Sequence, residues 1–370
     1  MATYHRRSFL HTLAASGAAT ALAQLRAQSP NDRDKTLITK TPPKIKVGID
    51  NFAVRAMGWK AGKLLDFAAS LKCDSILISD LDAYESFDPG YLGEVKAHAD
   101  KVGVDIYAGS WSICPTSKAF KNKWGTADEH LALGIRVAKA LGSPVFRCIL
   151  GTMEDRKSEG GIRARMADTV RVLKAGERAA KDAGVKIAIE NHAGDMHSWE
   201  CAKLIEAAGR DFVGCNIDSG NAAWTLEDPM DVLETLGPYT ICSSLRDNMI
   251  WETADGAAVQ WTAVGEGLID WPAYIARWSA LCPTVPIMIE TISGFSKNFP
   301  YKKEEFWKDY EKRPERLAHF EALAKKGHPM DSFKAPEGVD RKKAEEDYQV
   351  AEITRSIQYL REKLHLGLKV

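Results

Sequence analysis

Eight short apolar runs, separated by longer amphipathic stretches, follow one another from Lys44 onward, and this alternation restricts the possible folds more than any other feature of the sequence. The runs are KIKVGID (44–50), DSILIS (74–79), VDIYAG (104–109), SPVFRCIL (143–150), VKIAIEN (185–191), FVGCNID (212–218), TICSSLRD (240–247) and VPIMIET (285–291). Strands that alternate with helices form parallel sheets. Eight such units over about 250 residues are typical of a closed (β/α)8 (TIM) barrel. We therefore expect an α/β barrel over residues 44–300.

An open doubly wound sheet is the alternative, but the first strand is not followed by the GxGxxG loop that this fold uses for phosphate.

Residues 301–370 are highly charged and are predicted to be helical. We expect them to close the barrel and to extend beyond it. The charged helix indicates a homodimer. The chain has 50 basic and 50 acidic residues. This balance gives no support for a nucleic-acid partner.

The N-terminus has the layout of an export signal. A basic start is followed by an Ala/Leu/Gly stretch that ends at Ala21-Leu22-Ala23, as in signal peptides. Arg6-Arg7 before Ser8-Phe9-Leu10 resembles a twin-arginine signal, and an ordinary secretory signal is the alternative. We predict a signal peptide at residues 1–27, a polar linker at 28–43, and a periplasmic protein carried by the twin-arginine export machinery.

The seven cysteines are odd in number and lack CxxC spacing, which indicates buried free thiols.

Three of the apolar runs carry a carboxylate at their carboxyl end, and in each run this acid lies on the same kind of strand face. Side chains alternate between the two faces of a strand, and in each run the acid shares its face with a residue other than the branched aliphatics: Glu190 with Ala188, Asp218 with Asn216, and Glu290 with Met288. Asp50 repeats the pattern in the first run. The β-branched side should meet the helices, and the acids should point into the barrel mouth, where active sites of such barrels lie.

Three inward carboxylates at one mouth repel one another unless a cation lies between them. A single acid of this kind is more often a solvated strand end, but the three together indicate a metal site. Oxygen ligands favour Mg or Mn, and an added imidazole favours Zn or Co.

Five motifs at these strand ends resemble the xylose isomerase-like barrel superfamily, which includes sugar isomerases and epimerases, inosose dehydratases and endonuclease IV-like proteins. They are IAIENHAG (187–194), CNIDSGNAA (215–223), SLRDN (244–248), VGEGLIDWPAY (264–274) and IMIET (287–291). The resemblance implies that Glu190, Asp218 and Glu290 bind a divalent metal. It also implies that Glu190 and Glu290 exchange protons with the substrate carbon.

The sequence departs from the family pattern at two metal-ligand positions. Ser244 stands two residues before Arg246-Asp247, where relatives usually carry a His ligand, and Asn221 stands where many carry a second His. Both changes shift the site toward oxygen ligands and favour Mn or Mg over Zn or Co. His192 and His197 are the candidates to compensate.

The predicted substrate contacts are side chains at or after strand ends: His192, Arg246, Trp111, Asn221 and Gln260. Arg246 faces inward by strand alternation, with a structural ion pair to Asp247 as the alternative. Trp111 and Gln260-Trp261 are placed in loops after strands, where aromatic faces suit the C–H surfaces of sugars.

These features predict a metal-assisted sugar isomerase or epimerase that removes a proton next to a carbonyl through an enediolate. The close alternative is a lyase or dehydratase that eliminates from keto sugars or keto glycosides. A non-catalytic carbohydrate-binding barrel is a second alternative, for which Ser244 is the best argument.

Overall fold

A computed structural model of the protein describes residues 44–369. The predicted signal peptide (1–27) and linker (28–43) lie outside the described residues, so both stay predictions.

Eight parallel strands form the barrel, and a three-stranded sheet is added to it. In chain order the strands are β1 Val47–Asp50, β2 Ser75–Ile78, β3 Asp105–Ser112, β4 Val145–Ile149, β5 Lys186–Glu190, β6 Val213–Ile217, β7 Thr240–Ser243, β8 Asp247–Thr253, β9 Gly256–Thr262, β10 Ile287–Ile289 and β11 Ser296–Phe299. Strands β1 to β7 pair in sequence, and β10 pairs with β1. A parallel bridge between Leu245 and Ile289 joins the β7 side to β10. The predicted (β/α)8 barrel is therefore confirmed.

Helices follow the strands and cover the outside of the barrel. They are α1 Ala61–Ser70, α2 Pro89–Val102, α3 Ala127–Ala140, α4 Gly161–Ala183, α5 Ser198–Ala208, α6 Ser219–Ala222, α7 Pro229–Leu236, α8 Trp271–Leu281, α9 Leu317–Ala324 and α10 Arg341–Glu362. Local sequence signals set their ends. Thr126 and Glu129 form a reciprocal capping box at the start of α3, while Gly184 ends α4 in the left-handed conformation at φ 69°, where a residue without Cβ is favoured.

The core divides between the two faces of the strands as strand alternation predicts. The small cluster inside the barrel includes Ala188 and Met288, whereas Ile187 and Ile289 belong to the large cluster that packs against the helices. Each acid that follows on the inner face is thereby directed to the carboxyl end of the barrel.

The β8–β9 hairpin was not predicted. It follows β7, pairs antiparallel over Asp247–Thr262, and carries Gln260 and Trp261 on β9. The loop placement of these residues was wrong, as was that of Trp111, which lies within β3. The Asp255-Gly256 pair between two alternating runs is a hairpin signal, but the periodicity of the parallel units concealed it.

The C-terminal segment covers the hairpin first and closes the barrel last. Helix α9 packs beside the hairpin, where Phe320 joins a cluster with Ile250 and Val259. Helix α10 then lies against β1 and β10, and the backbone N–H of Gly367 donates to the carbonyl of Ile45 at 3.0 Å. The first and last described segments of the chain are therefore neighbours.

All seven cysteines lie within residues 44–369, and all are free and buried, as predicted. Across residues 44–369, no helix combines the length and the apolar character needed to cross a bilayer.

Helix α3 packs closely on β4, and this gives a test of the core. A Cβ on Gly134 would lie 2.1 Å from Cζ of Phe146, whereas a Cβ on Gly93 in α2 meets nothing within 4 Å. We expect Gly134→Ala to destabilise the protein by about 1–3 kcal/mol through overpacking. Gly93→Ala, the matched control, should stabilise it by about 0.5–1 kcal/mol. Urea unfolding measures both, and equal stability of the two variants would contradict this packing.

Candidate active site at the carboxyl end of the barrel

The three predicted acids meet at the barrel mouth. Each of Glu190, Asp218 and Glu290 offers a carboxylate oxygen, and these atoms all lie within 4.8 Å of one another. The three residues are 0%, 0% and 4% exposed. They come from β5, β6 and β10, so parallel strands alone bring them together. The structure thus places the predicted metal ligands in one cluster.

Arg246 lies inside this cluster and not beside its chain neighbour. The Nη2 atom of Arg246 donates to both the Asp218 and Glu290 carboxylates. Its guanidinium carbon lies 4.3 Å from the centroid of the Trp261 ring. Asp247 points elsewhere: it accepts from the Gly265 backbone N–H at 2.9 Å. The alternative of an ion pair between Arg246 and Asp247 is therefore wrong, because the two side chains alternate across the strand.

Arg147 is the second buried cation of the site, and it was not predicted from the sequence. Its Nε atom donates to Glu190 Oε2 at 2.6 Å, and its Nη1 atom donates to the carbonyl of Ser110 at 2.9 Å. Arg147 is paired in register with Ala188 of β5, so it shares the inner face. An arginine inside the apolar run VFRCI was the available signal.

Two asparagines complete the contacts of the acids. Asn216 Nδ2 donates to Glu190 Oε2 at 2.7 Å. Asn221 Nδ2 donates to Asp218 Oδ2 at 2.7 Å and to Glu190 Oε1 at 3.3 Å. Within the described part of the chain, the Oδ1 atoms of both asparagines are buried without a hydrogen-bond partner. Two amide oxygens that could accept a hydrogen bond or bind a metal ion therefore lie in the side chains that contact the carboxylates.

Ser244 connects the cluster to a fourth carboxylate. Its hydroxyl donates to Asp50 Oδ2 at 3.1 Å and accepts from Asn216 Nδ2 at 3.1 Å. Asp50 also accepts from the Ser79 hydroxyl at 2.6 Å. The residue at the usual His position thus belongs to a hydrogen-bonded chain that joins Asp50, through Asn216, to Glu190.

The site has an excess of buried negative charge. Four carboxylates less two guanidiniums leave two formal negative charges when all groups are ionised. Burial raises the pKa of Asp218 to about 8, although Arg246 opposes the rise, and burial raises the pKa of Asp50 to about 6. Two bound protons or one divalent cation balance this charge. The oxygen-rich donor set therefore fits a hard divalent cation.

His192 lies at the wall of the cavity above the acids. Its Nδ1 atom lies 2.7 Å from the carbonyl oxygen of Gly151 and donates to it, and its ring meets the edge of Trp111 with centroids 5.2 Å apart. Burial lowers the pKa of His192 to about 3, so the ring is neutral. Its Nε2 atom is left as a hydrogen-bond acceptor.

A cavity of about 340 Å³ opens at this end of the barrel. Six of the predicted or newly found site residues line it, namely Trp111, Arg147, His192, Asn221, Arg246 and Glu290. Glu190 and Asp218 are not among the lining residues and lie behind them. Gln260 does not line the cavity either, because its Nε2 atom donates to the Asp331 carbonyl at 3.2 Å.

His197, one of the two histidines considered as a compensating ligand, lies elsewhere. Its Nδ1 atom contacts Glu200 at 3.1 Å and Arg156 at 3.2 Å, and its ring stacks on Trp199 with centroids 4.0 Å apart. It belongs to a polar cluster at the start of α5.

Comparison with known proteins identifies the family of this chain. The family model described as "Xylose isomerase-like TIM barrel" matches residues 65–303, well over half of the chain. The chain belongs to this family. The predicted barrel fold and the resemblance to the xylose isomerase-like family are thereby confirmed. No curated protein matches this sequence.

Solved structures share the fold of this family member at low sequence identity. A D-psicose 3-epimerase solved in the presence of D-fructose has a TM-score of 0.56 and 14% identity, over 86% of this chain and 99% of that one. An L-ribulose 3-epimerase has a TM-score of 0.54 and 17% identity, over 87% and 97%. The 3-keto-D-glucoside 4-epimerase of E. coli, in its apo form, has a TM-score of 0.52 and 12% identity, over 76% and 98%.

The Arg147–Glu190 pair is expected to be essential for stability. Arg147→Met leaves Glu190 buried without its main counter-charge and should cost about 3–5 kcal/mol. Adding Glu190→Gln should recover a large part of this loss, because the unpaired charge is removed. Arg277→Met is the control: its exposed ion pair with Glu234, at 2.6 Å, is worth about 1 kcal/mol or less. Chemical denaturation of the wild type and these three variants measures the free energies of unfolding, and an Arg147→Met variant as stable as the wild type would contradict the pairing.

Proposed function

We propose that the protein is a sugar isomerase or epimerase that removes a proton next to a carbonyl group and passes through an enediolate. The observation that carries the proposal is the position of Glu290. It lines the cavity, it accepts a hydrogen bond from Arg246, and it directly follows barrel strand β10. Solved structures with the same fold include sugar epimerases.

The surroundings of the two glutamates assign them different tasks. Both oxygens of Glu190 accept hydrogen bonds, from Arg147, Asn216 and Asn221. Glu290 accepts from Arg246 on Oε2, and no hydrogen bond to its Oε1 atom occurs among residues 44–369. Glu290 lines the cavity, and a carboxylate oxygen without a donor is available as a general base. We therefore assign the proton abstraction to Glu290, with Glu190 returning a proton in the epimerase reaction.

The other lining residues suit a keto sugar. Arg246 and Arg147 present guanidinium groups toward the cavity, where they stabilise negative charge that develops on a substrate oxygen. The Nε2 atom of His192 accepts a hydrogen bond from a hydroxyl group. The ring of Trp111 offers an apolar face to the C–H surface of a sugar.

We further propose that Glu190, Asp218 and Glu290 hold a divalent cation, Mn or Mg in preference to Zn or Co. Such a cation, when bound, would polarise the carbonyl and the neighbouring hydroxyl of the substrate. The preference follows from the atoms available as metal ligands, which are carboxylate and amide oxygens with no imidazole in the described cluster.

Three expectations, on the substrate, the location and the oligomeric state of the protein, belong to this proposal. The substrate is a small carbohydrate, the protein is exported to the periplasm by the twin-arginine machinery, and two copies form a homodimer. Arg6-Arg7 and the charged C-terminal segment support the last two.

Elimination is the second candidate, and the unequal glutamates favour it. Only Glu290 of the three acids lines the cavity. In an elimination on one face of the sugar, a single group suffices. Glu290 takes the proton from the carbon next to the carbonyl, the C–C double bond forms as the C–O bond to the leaving group breaks, and Glu290 returns the proton to the departing oxygen.

Reaction in deuterium oxide tests both candidates. Wild-type protein incubated with keto sugars and keto glycosides should replace the hydrogen next to the carbonyl with deuterium if it is an epimerase, or lose that hydrogen if it is a lyase, as seen by proton NMR. An epimer of the same composition identifies an epimerase, and a released alcohol with an unsaturated sugar identifies a lyase. Glu290→Gln should lower the rate by about 10²–10⁴-fold, while Glu234→Gln on the surface should not. A barrel that binds sugar without either product would show a carbohydrate-binding protein instead.

Metal binding is tested by titration calorimetry with Mn²⁺, Mg²⁺ and Zn²⁺. Asp218→Asn should abolish Mn²⁺ binding, whereas Asp105→Asn at the opposite end of the barrel should not. Because Asp218 and Asp50 have pKa values of about 8 and 6 without a cation, binding displaces protons, and the affinity should rise from about pH 6 to 8. Ser244→His should shift the preference toward Zn²⁺. Equal affinity in the wild type and Asp218→Asn would contradict the assigned site.

A further inference from the structure

A serine and a histidine that the proposed reaction does not use face the same cavity. Ser110 lies on β3 and His130 on α3, and both line the cavity. The Ser110 hydroxyl oxygen lies 2.7 Å from His130 Nε2, and the two residues are 1% and 2% exposed. In the ring of eight strands, β1 and β2 separate β3 from β10. Ser110 therefore lies on the wall across the cavity from Glu290.

The backbone holds Ser110 in an unusual position. The pairing of β3 with β4 shifts register between Gly109 and Ser112, and such bulges redirect side chains near active sites. The carbonyl of Ser110 already accepts from Arg147 Nη1 at 2.9 Å. Ser110 is thus fixed to the same arginine that holds Glu190.

The state of His130 decides what the serine hydroxyl does. Burial lowers the pKa of His130 to about 4, so the ring is neutral and carries one N–H group. Its Nδ1 atom is buried with no hydrogen-bond partner in the described part of the chain. A buried N–H group without an acceptor is rare and costs about 1–3 kcal/mol. The hydrogen therefore belongs on Nε2, where Ser110 accepts it.

We infer that Ser110 is a substrate-binding residue, held by His130 so that its own hydroxyl hydrogen donates into the cavity. Since Ser110 accepts from His130, its hydroxyl hydrogen is free for another acceptor. The oxygen of the substrate that becomes negative when Glu290 removes the proton is an acceptor of the right charge. Ser110 then adds a neutral donor to the two guanidiniums of the site, and His130 is a positioning residue. The inference rests on the proposed function.

The ring state of His130 gives a test that does not depend on turnover. The protein is labelled with ¹⁵N-histidine, and the His130 signals are assigned by their loss in His130→Gln. Long-range ¹H–¹⁵N spectra should show a neutral ring with the hydrogen on Nε2 between about pH 5.5 and 8. A hydrogen on Nδ1, or a charged ring in this range, would overturn the inference.

Kinetics with the keto sugar that the wild type converts give the second test. Ser110→Ala should lower kcat by about 10²-fold, as for loss of one donor to a developing oxyanion. His130→Leu should act in the same direction, and the double variant should be no worse than Ser110→Ala, because the two residues act as one unit. His130→Gln retains an N–H donor and should keep most of the activity.

The outcomes separate this inference from the proposed function. Unchanged kcat and KM in Ser110→Ala, with lower stability alone, would mean that the pair is only a buried structural hydrogen bond. A wild type that converts no keto sugar contradicts the proposed function whatever the ring state of His130. Turnover that survives Ser110→Ala contradicts only the inference.

Discussion

The burial of carboxylates at the end of the barrel is the constraint on which the rest of the site depends. Ionised carboxylates lose their hydration there, and each must recover that free energy from a partner. Arg147 and Arg246 supply two positive charges from opposite sides of the barrel, and the asparagines supply neutral donors. Within residues 44–369, Glu190 accepts hydrogen bonds on both carboxylate oxygens, whereas Glu290 accepts one on Oε2 only. Chemical asymmetry between two identical side chains thus arises from their neighbours alone.

Strand alternation made the position of the acids predictable. Glu190, Asp218 and Glu290 each lie two residues after an inner-face residue at the end of an apolar run, and a parallel barrel brings such side chains together at its carboxyl end. Arg246 was assigned to the interior by the same argument. These predictions succeeded because they depend on the period of the strand and on the topology, and both are local or repeated properties of the sequence.

The missed features depend on partners far apart in the chain. Arg147 looks anomalous in its strand until Glu190, 43 residues later, is placed beside it. Ser110 and His130 become a pair only when α3 packs on β3. The hairpin with Gln260 and Trp261 was missed for a different reason, since its Asp255-Gly256 turn is a local signal that was assigned to a loop between parallel units. The error placed Gln260 near the cavity, whereas its side chain is directed to Asp331.

The contact between the two ends of the described chain has a consequence for how the barrel is made. Helix α10 covers β1 and β10, and the Ala56 backbone N–H donates to Gln349 at 2.9 Å across 293 residues of sequence. Contacts between segments so distant form late, because the intervening chain must first be ordered. During synthesis, the contacts of β1 with α10 therefore form only after α10 has been made. A ribosome-bound fragment that lacks α10 would expose the apolar surface that α10 covers on β1 and β10.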